Sequence, residues 1–295
     1  MDVEMKIQEP INKVTSKQKL KNYSKHPGSF LLALLTKLAI LLTVLALGFI
    51  LIYILVKGIP NLSTDLFALK YTTENVSMLP AIINTLIITL LSLCIAGPIG
   101  IFSAIYLVEY AKKGNKLVEV VRVTAETLTG IPSIVYGLFG MLFFVTTLKC
   151  GYSILAGALT LSIMVLPVIM RTTEEALLAV PNSFREGSFG LGAGKLRTIF
   201  KIVLPSAVPG ILAGVILAIG RIVGETAALI YTAGTVAEIP SSIMSSGRTL
   251  AIHMYSLSKE GLYTNQAYAT AVVLLIVVVL INMLSNFVAK KFTKK

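Results

Sequence analysis

The chain has 295 residues, 55% of them hydrophobic and only 14% charged, and its mean hydropathy is +0.84, whereas soluble domains are roughly 45–50% apolar and about 25% charged. A soluble fold is excluded, because a chain of this length cannot enclose its long charge-free runs within one core. The formal charge of +12 does not imply nucleic acid, since Lys and Arg gather in the two tails and in alternate connections, where they report orientation in a membrane.

Residues 1–29 are expected to be a cytoplasmic tail, its lysines solvated and facing anionic lipid. The apolar stretch 30–56 is too long for a signal-peptide core and no small-residue cleavage site follows it, so a retained first helix is expected. Lys37, near its cytoplasmic start, is placed to snorkel. Crossing about 30 Å of hydrocarbon takes about 20 apolar residues, and five further stretches qualify. They are 81–108, expected to break at Gly97-Pro98; 127–148; 154–170; 208–233, which holds Arg221 and Glu225; and 268–288.

Nineteen Lys and Arg fall in the N-terminal tail, the second-to-third connection, the fourth-to-fifth connection and the C-terminal tail. Only five, Lys57, Lys70, Lys149, Arg248 and Lys259, fall on the other side. The excess predicts both termini in the cytoplasm, and an even number of spans agrees. The expected fold is therefore an all-α integral membrane protein with about six transmembrane helices. A transmembrane domain covers 30–295, with its core at 79–288 and a cytoplasmic loop at 171–207.

Several chemistries are set aside. Cys94 and Cys150 fit neither a CxxC spacing nor a disulfide framework, and His26 and His253 lack a second ligand at metal spacing, so no metal site is expected. The sequence holds no GxxxxGK[ST] phosphate loop and no cluster of nucleophile and base within the spans, so neither ATP hydrolysis nor membrane-embedded catalysis is expected of it. The outer segment 238–260, with Pro240, Arg248 and His253, reads equally as a short surface helix or as a contact for another protein.

The fourth-to-fifth connection is the most informative stretch. Pro181 can open a helix, and Ser183 with Glu186 three residues later predicts a capping box. Gly190, Gly192 and Gly194 allow a sharp turn and close approach by another surface. A basic stretch, 195–201, precedes predicted re-entry at Leu204-Pro205. Such a helix suits docking into a partner's groove, and it equally suits an ordinary interfacial loop; the residues alone leave both open. In the fifth span, Arg221 and Glu225 are four apart and so predicted to share one helical face. Ionisable groups at membrane depth cost about 2.5–3.5 kcal/mol each and usually face a cavity or one another. They form either a structural ion pair or an anion pathway in which the guanidinium fork attracts an oxyanion and Glu225 tempers the attraction.

Two motifs carry a resemblance. Glu186, Gly187 and Ser188, then Gly192, then Ile202-x-Leu204-Pro205 are spaced like the EAA loop of ABC importer permeases, with Gly187 and Ser188 for its two alanines. Arg221-Ile222-Val223-Gly224-Glu225-Thr226-Ala227 resembles the hallmark of the phosphate importer permeases, Ile222 replacing its alanine. AIYLVEY (104–110) and GIPSIVYGLFG (130–140) add to it, and the resemblance runs from about Leu79 to the end. It implies a type I ABC importer permease of the A-type for inorganic phosphate, in a bacterial or archaeal cell membrane. Arg221, Glu225 and Thr226 would lie on the substrate pathway. Ser183, Glu186, Gly187, Ser188, Gly192, Leu204 and Pro205 would contact an ATPase. The implied partners are a C-type permease, a dimer of ATP-binding subunits that use the ATP, and an extracellular phosphate-binding protein; this chain would bind no cofactor. Sulfate or molybdate import is the alternative substrate reading, and a self-sufficient channel or secondary transporter the alternative class.

Overall fold

The computed structural model describes residues 27–112 and 114–293, with side chains described from Gly28 to Phe287. Most of the predicted tail, residues 1–26, therefore lies outside the described residues. The chain divides into two units, residues 1–54 and 55–295.

In the first unit the described residues belong to α1, Pro27–Gly58, which is apolar on every face. Its Thr36 and Thr43 hydroxyls donate to the Leu32 and Ala39 carbonyls, 2.8 Å in each case. This is how hydroxyls are satisfied where no water is available.

The second unit is a helical bundle. Helix α2, Leu79–Tyr110, runs through Pro98 without a break, which corrects the predicted interruption. Pro98 and Cys94, one turn earlier, are both exposed, so the missing backbone hydrogen bond lies on the outer side of the helix and the packed side is undisturbed. That packed side runs along α5, Ile154–Leu178. The Ser92 hydroxyl donates to the Ala158 carbonyl and the Ser162 hydroxyl to the Ser92 carbonyl, 3.2 Å each, and a Cβ on Gly100 would sit 3.0 Å from Ile169. Ile88, Leu161, Met164, Ile169 and Ile222 fill the core beside them.

The third predicted span is bent. Helix α3, Lys116–Thr129, is amphipathic, and α4, Ser133–Thr147, leaves it at 104°. Gly130-Ile131-Pro132 makes the corner, and the Tyr136 hydroxyl braces it by donating to the Leu128 carbonyl at 2.7 Å. Counted as one span, the bent pair gives six candidate crossings among the described residues.

Helix α5 is two turns longer than its apolar run. Past Met170 it is held by charge: Glu174 pairs with Arg122 at 2.5 Å, and Arg171 with Glu126 at 3.2 Å and Glu175 at 3.3 Å. The short helix α6, Asn182–Gly190, follows. Helix α7, Lys195–Val223, is then continuous, so Leu204-Pro205 lies inside a helix that began at the basic stretch. This helix stops at Val223 rather than running on to residue 233 as expected. After it come α8, Ala227–Ile230; α9, Leu250–Glu260; and α10, Thr264–Thr293.

At the end opposite α6, the segment 238–260 folds onto the start of α2. Asn84 Nδ2 donates to the Glu238 and Arg248 carbonyls, 3.2 Å each, and the Leu250 amide donates to Thr85 Oγ1 at 2.8 Å. Part of this segment is thus the helix α9. Arg248 and His253 are buried within it, the Arg248 guanidinium lying 4.7 Å above the Tyr71 ring.

Candidate functional site: a membrane-depth cleft and a loop groove

Val168 of α5, Gly220 and Arg221 of α7 and Asn282 of α10 line a cleft of about 490 Å³, completed by Ile216 and Leu217. At 1.5 Å per residue, Val168 lies about 21 Å from the start of α5 and Asn282 about 27 Å from the start of α10, which puts the cleft near mid-depth of both helices. Its walls are apolar apart from Arg221 and Asn282.

Arg221 and Glu225 do not share a helical face. The helix ends at Val223, Gly224 and Glu225 turn the chain, and a second helix begins at Ala227. Glu225 is buried, and its Oε1 accepts from the Ala228 amide at 3.0 Å. A carboxylate at a helix start satisfies an orphan amide and complements the dipole, so the local sequence selects a broken helix over an i,i+4 pair. The two charged groups form no ion pair, and no described carboxylate pairs with Arg221. Thr226 is half-buried beside the break, its carbonyl accepting from the Ile230 amide at 3.1 Å.

The second part of the site is a groove of about 540 Å³ at the foot of α7. Ser183, Gly187, Ser188, Gly192 and Ile202 all line it, so the spaced motif does converge. Glu186 projects from α6 exposed and unpaired among the described residues, while Leu204 and Pro205 sit within α7. The predicted capping box is absent. Pro181 precedes the helix and no side chain caps it, so Ser183 is free to face the groove. Gly192, at φ +80°, makes the turn after α6, its amide donating to the Phe189 carbonyl at 2.9 Å; the left-handed region favours glycine there. Leu191 beside it is 90% exposed, with Phe184 and Phe189 also exposed.

What holds α6 was not visible in the sequence. Arg185, three-quarters or more buried, pairs with Glu109 at the end of α2 at 2.7 Å and donates to the Val180 and Leu177 carbonyls at 2.8 and 2.9 Å. Ser188 Oγ lies 2.8 Å from Thr198 Oγ1, tying α6 to α7. Asn282 was also missed, although it left a signal. Residues 271–281 are all apolar, and Asn282 is the first polar side chain after that run, a carboxamide that is costly there unless it serves something.

The chain matches the family described as "binding-protein-dependent transport system inner membrane component" over residues 96–295. It belongs to that family. The permease is 36% identical over 269 residues to the phosphate transport system permease protein PstA of Pasteurella multocida, covering 87% of this chain and 92% of that one. It is 32% identical over 261 residues to the probable ABC transporter permease protein YqgI of Bacillus subtilis, covering 82% and 88%. Among solved structures, a permease chain of a bacterial alginate ABC transporter superposes with a TM-score of 0.67 over 92% of this chain and 98% of that one, at 17% identity. A chain of the MetNI methionine ABC transporter gives 0.57 over 82% and 98%, at 20% identity. At those identities the likeness shows the fold, that of an ABC importer permease. The permease is a multi-pass inner-membrane transport component.

Proposed function

We propose that this chain is the A-type permease subunit of an ATP-driven importer of inorganic phosphate. It would work with a C-type permease, a dimer of ATP-binding subunits and an extracellular phosphate-binding protein. The observation that carries the reading is Arg221, an arginine with no carboxylate partner among the described residues, facing an apolar cleft partway along α5 and α10 in a chain about one-third identical to phosphate permeases. An always-charged planar fork matches a tetrahedral oxyanion, and the absence of a competing carboxylate leaves it available. Glu225 acts on the pathway through the backbone, fixing where α7 stops and therefore where Arg221 sits, and Thr226 borders the same break.

The groove under α6 is the contact for the ATP-binding subunit, with exposed Leu191 and Phe184 as its apolar anchors. The Lys and Arg excess supports a cytoplasmic side for this groove and both termini. Transport proceeds by alternating access, the ATPase dimer driving the loop ends together; ATP is bound and hydrolysed by the partner.

The test is uptake of labelled phosphate, driven by ATP, into vesicles containing the assembled complex, with wild-type chain and with Arg221→Gln. Loss of charge-assisted hydrogen bonds of about 1.5–3 kcal/mol predicts at least a tenfold fall in rate with assembly intact. Unchanged uptake would make Arg221 structural. Transport of sulfate or molybdate in place of phosphate would keep the architecture and move the substrate.

A further inference from the structure

We propose that Asn282 of α10 is a second anion-binding residue of the pathway, its carboxamide N–H donating to the oxyanion that Arg221 attracts. The inference deepens the phosphate reading and rests on it.

Asn282 lines the same cleft as Arg221 but stands on a different helix, so the two residues face one space from two walls. Its amide follows the unbroken apolar run 271–281 and makes no hydrogen bond to any described residue. A carboxamide placed in hydrocarbon without a partner is costly, and the cleft offers no other polar side chain than Arg221. Arg221 brings five N–H donors and no acceptor, and the carboxamide brings two more donors. A tetrahedral oxyanion presents more acceptor positions than one guanidinium fork can fill, so a neutral donor across the cleft completes the set. Neutrality matters as well. A second cation there would deepen the well and slow release, whereas an amide adds directionality at little cost in escape. The remaining walls, Val168, Ile216 and Leu217, are apolar and offer the anion no competing polar group.

The experiment compares wild type with Asn282→Gln, Asn282→Leu and Asn282→Asp in the reconstituted complex, at saturating phosphate and phosphate-binding protein, with rates normalised to assembled complex. The expected order of maximal phosphate uptake is Asn, then Gln, then Leu, then Asp. Leu should lie about tenfold or more below wild type, and Gln within about threefold of it. Asp should fall below Leu because a carboxylate repels the anion. If Asn282 instead serves a hydrogen bond between helices, Asp retains that capacity and outperforms Leu, which overturns the proposal. So does uptake by Leu within twofold of wild type. Should the Leu variant fail to assemble, the Gln-against-Asp order decides alone. Failure of the wild-type complex to move phosphate overturns the substrate reading itself, and is distinguishable because no variant is needed to see it.

Discussion

His253 and Arg248 show how far a buried residue's behaviour is set by its neighbours. His253 is fully buried in α9, at the end of the bundle opposite the groove, and neither ring nitrogen reaches hydrogen-bonding geometry with a described group. Burial first, and the nearby Arg248 charge second, push the imidazole down from the usual 6.5 to about 3, while the Val76 backbone raises it slightly. The folded state thus holds His253 neutral where the unfolded chain would protonate it. Between pH 6.5 and 3 the unfolded state binds more protons, so stability rises with pH across that window and falls on acidification. From pH 6.5 to 5 the loss is about 2 kcal/mol. In detergent, the unfolding temperature of wild type should drop between pH 7 and pH 5 by clearly more than that of His253→Gln; parallel drops would mean that the ring is already hydrated. None of this was readable from a lone histidine in a mixed outer segment, because it depends on what Tyr71, Val76 and Arg248 do around it.

At the level of elements, helix α6 is a charge-locked part. Arg185 and Glu109 are 76 residues apart in sequence and both mostly buried, so removing the arginine strands a carboxylate. Arg185→Met should destabilise the fold by about 3 kcal/mol. Adding Glu109→Gln should recover most of that stability without restoring ATP-driven uptake, because α6 is still no longer pinned. Melting curves and vesicle uptake on the two variants separate the effects, and recovery of both together would show that α6 needs no anchor. The spacing of Glu186 through Pro205 did announce this region, and Ser183, Gly187, Ser188, Gly192 and Ile202 do meet in one groove. The capping box failed because the helix starts at Asn182 with Pro181 before it, which puts Ser183 inside the first turn instead of at the cap. The fifth span failed for a related reason. Hydropathy sees 208–233 as one apolar run, but Gly224 weakens the helix and Glu225 finds a better acceptor role on the Ala228 amide. Pro98 erred in the opposite direction, since a proline on a helix's outward side costs less than the local rule implies.

For the whole molecule, the helical class and five of the six expected spans were legible because they rest on long apolar runs, which tolerate no alternative in lipid. The boundaries that shifted, at the end of α5 and the start of α7, lie where charged residues extend helices through partners distant in sequence. The 104° corner between α3 and α4 had only Gly130 and Pro132 as local signs. Charge asymmetry makes a topological prediction. With Cys94 and Cys150 replaced by serine, a cysteine at exposed Leu262 should react in intact cells with a membrane-impermeant maleimide. A cysteine at Leu191 should react only after the cells are opened. The reverse pattern would invert the assignment of the termini.

Helix α7 reaches from the groove to the cleft as one rod of 29 residues, about 42 Å long at 1.5 Å per residue. Ile202 near its foot lines the groove, and Arg221 stands near its head. Such an arm multiplies angle into distance. A tilt of about 5° at the foot sweeps the head through roughly 3.5 Å, more than the whole donor–acceptor span of a hydrogen bond, near 2.9 Å. On the proposed reading, a partner that rocks the groove by a few degrees would make or break the guanidinium's hold on its anion. The same stroke would repack Ala218 and Ile222, which lie in the core beside Leu161 and Met164 of α5.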